Sequence, residues 1–179
     1  VSADPLWAPW RMEFIQGGGP NDLPEKPADG FMPGADQDCF ICQGVADPHD
    51  FRRHIIEVSD SCITLLNRYP YNNGHLLIAP KEHYGDIEDL TGEVEVEIMR
   101  VVRRMVAALR ETLHPEGFNI GLNLGRAAGA GLPGHLHWHI VPRWNGDTNF
   151  MPALGSAKII PQSLDALTAI LTGQLAKNK

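Results

Sequence analysis

The chain has 179 residues and a mass of 19.7 kDa, with 43% hydrophobic and 21% charged residues, the size and balance of one globular domain. Its 22 acidic and 15 basic side chains give a formal charge of -7, the wrong sign for holding long nucleic acid by spread electrostatics, although a local cluster of His, Arg and backbone N–H groups can still bind a small phosphorylated ligand. The longest apolar runs, such as Leu76 to Pro80, fall far short of the roughly 20 residues of a bilayer span, the segment VSADPLWAPWR lacks the pattern of a secretory signal, and three cysteines are too few for a disulfide scaffold, so the expectation is a cytoplasmic protein without a membrane partner.

In chain order, LWAPWR reads as an arm that packs Trp7 and Trp10 on the body, and the stretch from Gln16 to Asp38, dense in glycine and proline, as an irregular loop. Ile55 to Val58, Cys62 to Leu66 and Gly74 to Ala79 are short apolar or β-branched runs separated by turn residues, which predicts three consecutive strands. Val94, Ile98, Val101, Val102, Met105, Ala108, Leu109 and Thr112 recur at helical spacing, with Thr91 as N-cap, glutamates in the first turns and Pro115 as the stop. Gly117 to Leu124 and His135 to Pro142 read as two further strands joined by a glycine-rich loop, and Leu164 to Leu175 as an amphipathic helix. The fold class is α+β with a mostly antiparallel sheet.

The segment GHLHWHIVPRW alternates strictly, so as a strand it places His135, His137, His139 and Val141 on one face and Leu136, Trp138 and Ile140 on the other. Same-face neighbours lie about 6.6 Å apart along a strand, close enough for adjacent imidazoles to touch one ligand. Two chemistries fit: a metal that activates water, or an imidazole nucleophile that attacks phosphorus while its neighbours orient it. The preceding loop, GRAAGAGLPG, lets a phosphate approach the main chain closely, and with Arg126 before and Arg143 after the histidines it favours a phosphate-handling site.

HLHWHIV resembles the His-x-His-x-His motif of the histidine triad superfamily of nucleotidyl hydrolases and transferases. The similarity covers roughly Cys39 to Val141, through TLLNRYPYNNGHLLIAPKEHYGDIEDL, the long helix and GFNIGLNLG; LWAPWR, CFIC, the AGAG loop and HLHWHIVPRW are most similar to the bacterial branch that includes diadenosine tetraphosphate phosphorylases. The resemblance implies an antiparallel sheet of about five strands crossed by the long helix, an arm and loop over 1–38 followed by a histidine triad domain over 39–179, and a homodimer. It implies that His137 attacks the α-phosphorus and carries the nucleotide covalently, that His139 hydrogen-bonds the phosphate, and that Asn67, His75 and Asn123 contact ribose or phosphate or support the site. A neutral imidazole, ordinary pKa about 6.5, suits the first role at pH 7. Gly129, Gly131 and Arg143 complete the expected nucleotide and phosphate contacts, with no organic cofactor. Many members carry Ser, Thr or Gln just before the first histidine, where this chain has Leu132 and Pro133. A polyphosphate leaving group needs less proton donation than an amine, so the departure favours dinucleoside polyphosphates over phosphoramidates. The implied products are ATP and ADP if inorganic phosphate resolves the intermediate, or ATP and AMP if water does; a nucleotide-binding scaffold is the alternative outside enzymes.

Cys39 and Cys42 form a C-x-x-C pair, redox-active or half of a zinc site by itself. The resemblance supplies His83 and His135 as the other half of a structural Cys2His2 zinc site. Cys62, inside an apolar run, reads as core, and His49, His54 and His114 as surface or capping residues.

Overall fold

The runs CITLL and LLIAP contain no charged residue, which predicts strands covered on both faces; they form β2 (Cys62–Leu66) and β3 (Leu76–Pro80), every residue buried. In the computed structural model, which describes residues 24–148 and 160–177, they lie inside one sheet with β1 (Ile55–Val58), β4 (Gly117–Leu122) and β5 (Trp138–Arg143). The strand order is β1-β2-β3-β5-β4 and every neighbouring pair is antiparallel. Among the described residues three α-helices accompany the sheet: α1 (Phe40–Ala46), α2 (Gly92–Leu113) between β3 and β4, and α3 (Leu164–Lys177) after β5. The LWAPWR arm and residues 16–23 of the loop lie outside the described residues, and residues 24–38 contain neither helix nor strand.

The sheet separates two apolar clusters. On one face α2 buries Ile98, Val101, Val102, Met105, Ala108 and Leu109, and α3 buries Leu167, Leu171 and Leu175, against Leu66, Leu76, Ile78 and Ile140. On the other face Cys39, Ile41 and Cys42 pack with Ile63, Leu65, Leu77 and Ala79. The expected limits of α2 hold: the Thr91 hydroxyl accepts from the Val94 N–H at 3.4 Å, and the helix ends at His114, whose φ of 49° is left-handed, before Pro115. Gly74, at φ 72°, turns the chain into β3 where a Cβ would lie 2.6 Å from Leu113 Cδ1, so a side chain there would be strained in conformation and would have to displace Leu113.

The histidine strand begins three residues later than its alternation predicts. β3 and β5 pair at Leu76 with Ile140, Leu77 with His139 and Ile78 with Trp138, and the ladder stops there. Beyond it the Pro80 carbonyl accepts from His135 Nε2 at 2.9 Å, and the Leu136 N–H goes to the Tyr84 carbonyl at 2.8 Å. A side-chain bond thus replaces the next ladder bond and draws residues 135–137 out of the sheet. The alternation survives within β5, where Trp138 and Ile140 face the helices and His139 faces the other way.

Beyond β5 the chain is held by Asp147. Its carboxylate accepts from Arg143 Nε at 2.6 Å and Nη2 at 3.0 Å, Asn72 Nδ2 at 2.9 Å and the Trp144 N–H at 3.2 Å, and the Arg143 guanidinium, the largest influence, holds its pKa down to about 2. A depressed carboxylate pKa stabilises the fold above the unfolded value of about 3.9, and that contribution is lost as pH falls toward the folded value. Asp147→Asn is therefore expected to lower the melting temperature at pH 7, with the difference from the parent shrinking toward zero as pH falls from about 4 to about 2. Thermal melts across that range check it; a constant difference would remove the ionic contribution.

Candidate active site and metal centre

A cavity of about 540 Å³ lies on the sheet face opposite α2 and α3, within the range of small-molecule sites. Phe40, Leu65, Leu66, Leu77 and Leu132 form its apolar walls, and His137 and His139 its reactive edge. Their rings stand 5.0 Å apart at 70°.

Hydrogen-bond partners assign the imidazole protons of His137, His75 and His139. His137 Nδ1 lies 2.8 Å from the His135 carbonyl, which only accepts, so Nδ1 carries the hydrogen and Nε2 keeps its lone pair. Burial holds the His137 pKa below its ordinary value, against the opposing effect of that hydrogen bond, and this favours the neutral, nucleophilic form. His75 Nδ1 accepts the Tyr71 N–H at 3.0 Å and sits 3.3 Å from Asn67 Nδ2, so its proton is on Nε2 and is donated to His139 Nδ1 at 2.9 Å. His139 must then carry its own proton on Nε2. Two adjacent imidazoles are thereby held in opposite tautomers, one a lone pair and one a donor, the combination that attack on a phosphate ester and stabilisation of its oxygens require.

Asn67, Gly129 and Gly131 line the cavity with the two histidines, while His75 acts from behind through His139. Asn67 also accepts the Tyr69 N–H at 2.9 Å, a turn-stabilising bond within the same loop. The glycine loop is wound more tightly than a phosphate cradle: the N–H groups of Gly129 and Ala130 go to the carbonyls of Arg126 and Gly125, at 3.0 and 3.3 Å. Asn123 does not line the cavity. Arg143 lies farther along β5, paired with Asp147, and Arg126 is exposed in the turn over 126–128.

Sequence reasoning passed over several lining residues. His54, read as a surface or capping residue, is a left-handed cap at φ 51° but is buried at 8% exposure, lines the cavity and reaches to 3.6 Å from Asp165 of α3. Arg53 beside it is buried, with Nη2 on the Glu25 carbonyl at 2.6 Å and Nε 3.8 Å from Asp47. Tyr71 stacks on His75 at 4.9 Å. The signal for Tyr71 was the YPYNNG turn itself, which ends one residue before His75; Arg53 and His54 carried none, because their burial depends on partners in other segments, Glu25 and Asp47 for Arg53 and Asp165 for His54.

Cys39, Cys42, His83 and His135 converge across the other side of the histidine segment, with one ligand atom of each within 4.8 Å of every other. His135 Nε2 donates to Pro80, so its Nδ1 lone pair faces Cys39 Sγ at 3.3 Å, Cys42 Sγ at 3.5 Å and His83 Nδ1 at 3.2 Å, and Cys42 Sγ lies 3.3 Å from His83 Nδ1. Edges of about 3.3–3.8 Å are what a tetrahedral N/S shell requires at ordinary bond lengths, so the four groups fit a metal ion. Without a cation, burial pushes the Cys39 thiol up to about 12 and His135 down to about 4, which leaves both neutral. Cys62 is core as expected.

A five-stranded antiparallel sheet with one long helix across it, and with alternating histidines at the end of its inner strand β5, defines a protein of the histidine triad class. The HIT domain family model matches residues 50–146, and the chain belongs to the HIT family. It is 33% identical over 172 residues to an AP-4-A phosphorylase of Mycobacterium tuberculosis, covering 96% of this chain and 84% of that protein. An adenosine 5'-monophosphoramidase of Schizosaccharomyces pombe is 29% identical, over 63% of this chain and 82% of its own. Among solved structures, a ZN-bound histidine triad family protein from Mycobacterium smegmatis superposes with a TM-score of 0.58 at 30% identity, over 70% of this chain and 86% of that one.

The proton assignment is directly measurable. In long-range 1H–15N spectra at pH 7, His137 is expected as the Nδ1–H tautomer and His75 and His139 as Nε2–H tautomers. A His137 with its proton on Nε2 would contradict the nucleophile geometry.

Proposed function

We propose that the protein is a nucleotidyltransferase that cleaves dinucleoside polyphosphates such as diadenosine tetraphosphate by phosphorolysis, giving ATP and ADP. The observation that carries the reading is the His137 Nδ1–H bond to the His135 carbonyl, which leaves the Nε2 lone pair of a cavity-lining, buried imidazole available. His137 Nε2 attacks the α-phosphorus; the P–O bond to the bridging oxygen breaks, and ATP departs with that electron pair. An oxygen of inorganic phosphate then attacks the same phosphorus, breaks the P–N bond and releases ADP and neutral His137. His139, as an Nε2–H donor, stabilises the phosphoryl oxygens, and His75 is its positioning residue. Leu132 and Pro133 offer no side-chain proton donor, which suits a leaving polyphosphate and counts against an amine. The similarity to the mycobacterial AP-4-A phosphorylase supports phosphate over water as the acceptor.

Asn67, Gly129 and Gly131 are proposed to contact the bound nucleotide; the sequence expectation extends to Asn123 and Arg143, which lie outside the cavity. The Cys2His2 centre is proposed to hold zinc in a structural role, since all four positions would be filled by protein and none left for water. The similarity to a ZN-bound relative supports it. The reading further includes a triad domain over 39–179 preceded by the arm and loop over 1–38, and a cytoplasmic location. A homodimer formed at β4 is supported by its edge position and by exposed Ile120, with Val96 and Met99 exposed on α2.

Labelled inorganic phosphate supplied with diadenosine tetraphosphate is expected to appear in ADP, and His137→Asn to abolish product while retaining nucleotide binding. AMP formed at one rate with or without phosphate would make the enzyme a hydrolase; saturable binding without product under any acceptor would make it a scaffold. His139→Asn is expected to slow turnover on the order of 10²-fold to 10³-fold.

Elemental analysis is expected to find one zinc per chain. Cys39→Ser should lose it together with thermal stability, and full zinc retention in that variant would overturn the assignment.

A further inference from the structure

A second recess, of about 340 Å³, opens beside the histidine cavity, with Tyr71, Asn72, Asn119, Arg143, Asp147 and Thr148 around it. Tyr71 lines both spaces. The strand register puts the recess on the sheet face that carries the reacting groups. Residues 139, 141 and 143 of β5 alternate to one side, and β4 sets Gly121 opposite His139 and Asn119 opposite Val141. Gly121 is therefore what β4 presents between the histidine edge and the recess. A Cβ built there meets nothing within 4 Å, and the residue is not among the positive-φ glycines, so backbone strain does not call for glycine. An unstrained glycine inside a strand weakens it and commonly marks a place where a ligand or another backbone comes close.

The charge of the recess narrows the occupant. Arg143 and Asp147 neutralise each other through their paired bonds, and Arg143 Nη1 donates to Asn119 at 2.7 Å, so the walls are polar without net formal charge. Such walls suit hydroxyl and heterocyclic groups better than further phosphates, which Asp147 would repel. The spacing fits as well. From His139 to Arg143, four strand residues span about 13 Å. The three phosphates beyond the attacked one cover a distance of that order, and a single phosphate does not.

We propose that this recess is the subsite for the nucleoside of the leaving nucleotide, reached by the polyphosphate passing over Gly121. The inference rests on His137 as the site of attack, and it makes the spacing between the two subsites the basis of discrimination between long and short polyphosphate bridges.

The test measures binding by calorimetry in a His137→Asn background without phosphate, so that turnover does not intrude. Diadenosine tetraphosphate is expected to bind about tenfold more tightly than AMP, and diadenosine diphosphate no more tightly than AMP. Gly121→Val, which obstructs the track on the strand where the dimer is proposed, is expected to keep the parent's oligomeric state by sedimentation, to abolish the tetraphosphate advantage and to leave AMP affinity unchanged. Asn119→Ala, a milder change at an exposed position, should reduce the same advantage. Equal binding of tetraphosphate and AMP before any substitution at Gly121, or a Gly121→Val effect that is absent or the same for both ligands, would overturn the subsite alone. Loss of AMP binding in the parent background would instead overturn the nucleotide reading of the cavity, and the subsite with it.

Discussion

The hydrogen bond from His135 Nε2 to the Pro80 carbonyl governs the functional face of this fold. It ends the pairing of β3 with β5 and turns the His135 Nδ1 lone pair toward the two thiols and His83. The same departure from the ladder leaves the His135 carbonyl to accept from His137 rather than from a strand neighbour. One buried bond therefore sets both the orientation of the Cys2His2 donor set and the tautomer of His137. Breaking it would strand buried polar groups at a cost of about 1–3 kcal/mol each, and the damage would spread to both centres.

Main-chain groups, rather than carboxylates, fix the neutral tautomers of His135, His137 and His75, and His75 in turn fixes that of His139. Two carbonyls accept from His135 and His137, and the Tyr71 N–H donates to His75. Such partners select the tautomer of the neutral ring without adding a negative charge, whereas a carboxylate partner would favour the cation. Burial then acts in the same direction and keeps His137 neutral.

The acidic chain and the cationic cavity are reconciled by locality. Lys26, Arg53 and Arg68 line the cavity against Asp38 alone among the acids, although the whole chain carries a formal charge of -7. Arg53 and Arg68 are anchored on the Glu25 and Arg52 carbonyls, while Arg53 also lies 3.8 Å from Asp47 and Lys26 pairs with Asp38 at 3.0 Å, so acids balance part of this charge. The cavity wall thus holds more basic than acidic side chains inside a protein whose overall charge discourages longer polyanions.

The sequence by itself determined the strands β1 and β2 and the span and caps of α2, because each follows from periodicity or from a local capping bond. Resemblance added the pairing of Cys39 and Cys42 with His83 and His135, which the structure brings within reach of one ion. Tertiary structure alone decided where the histidine strand starts, since the competing partner, the Pro80 carbonyl, is 55 positions away in the chain. It also decided that His54 and Arg53 border the cavity, that the glycine-loop amides turn inward, and that Arg143 serves a second recess. Each of these depends on a partner supplied by another segment, or on a loop conformation that composition does not specify, and no periodicity in the chain encodes such a partner.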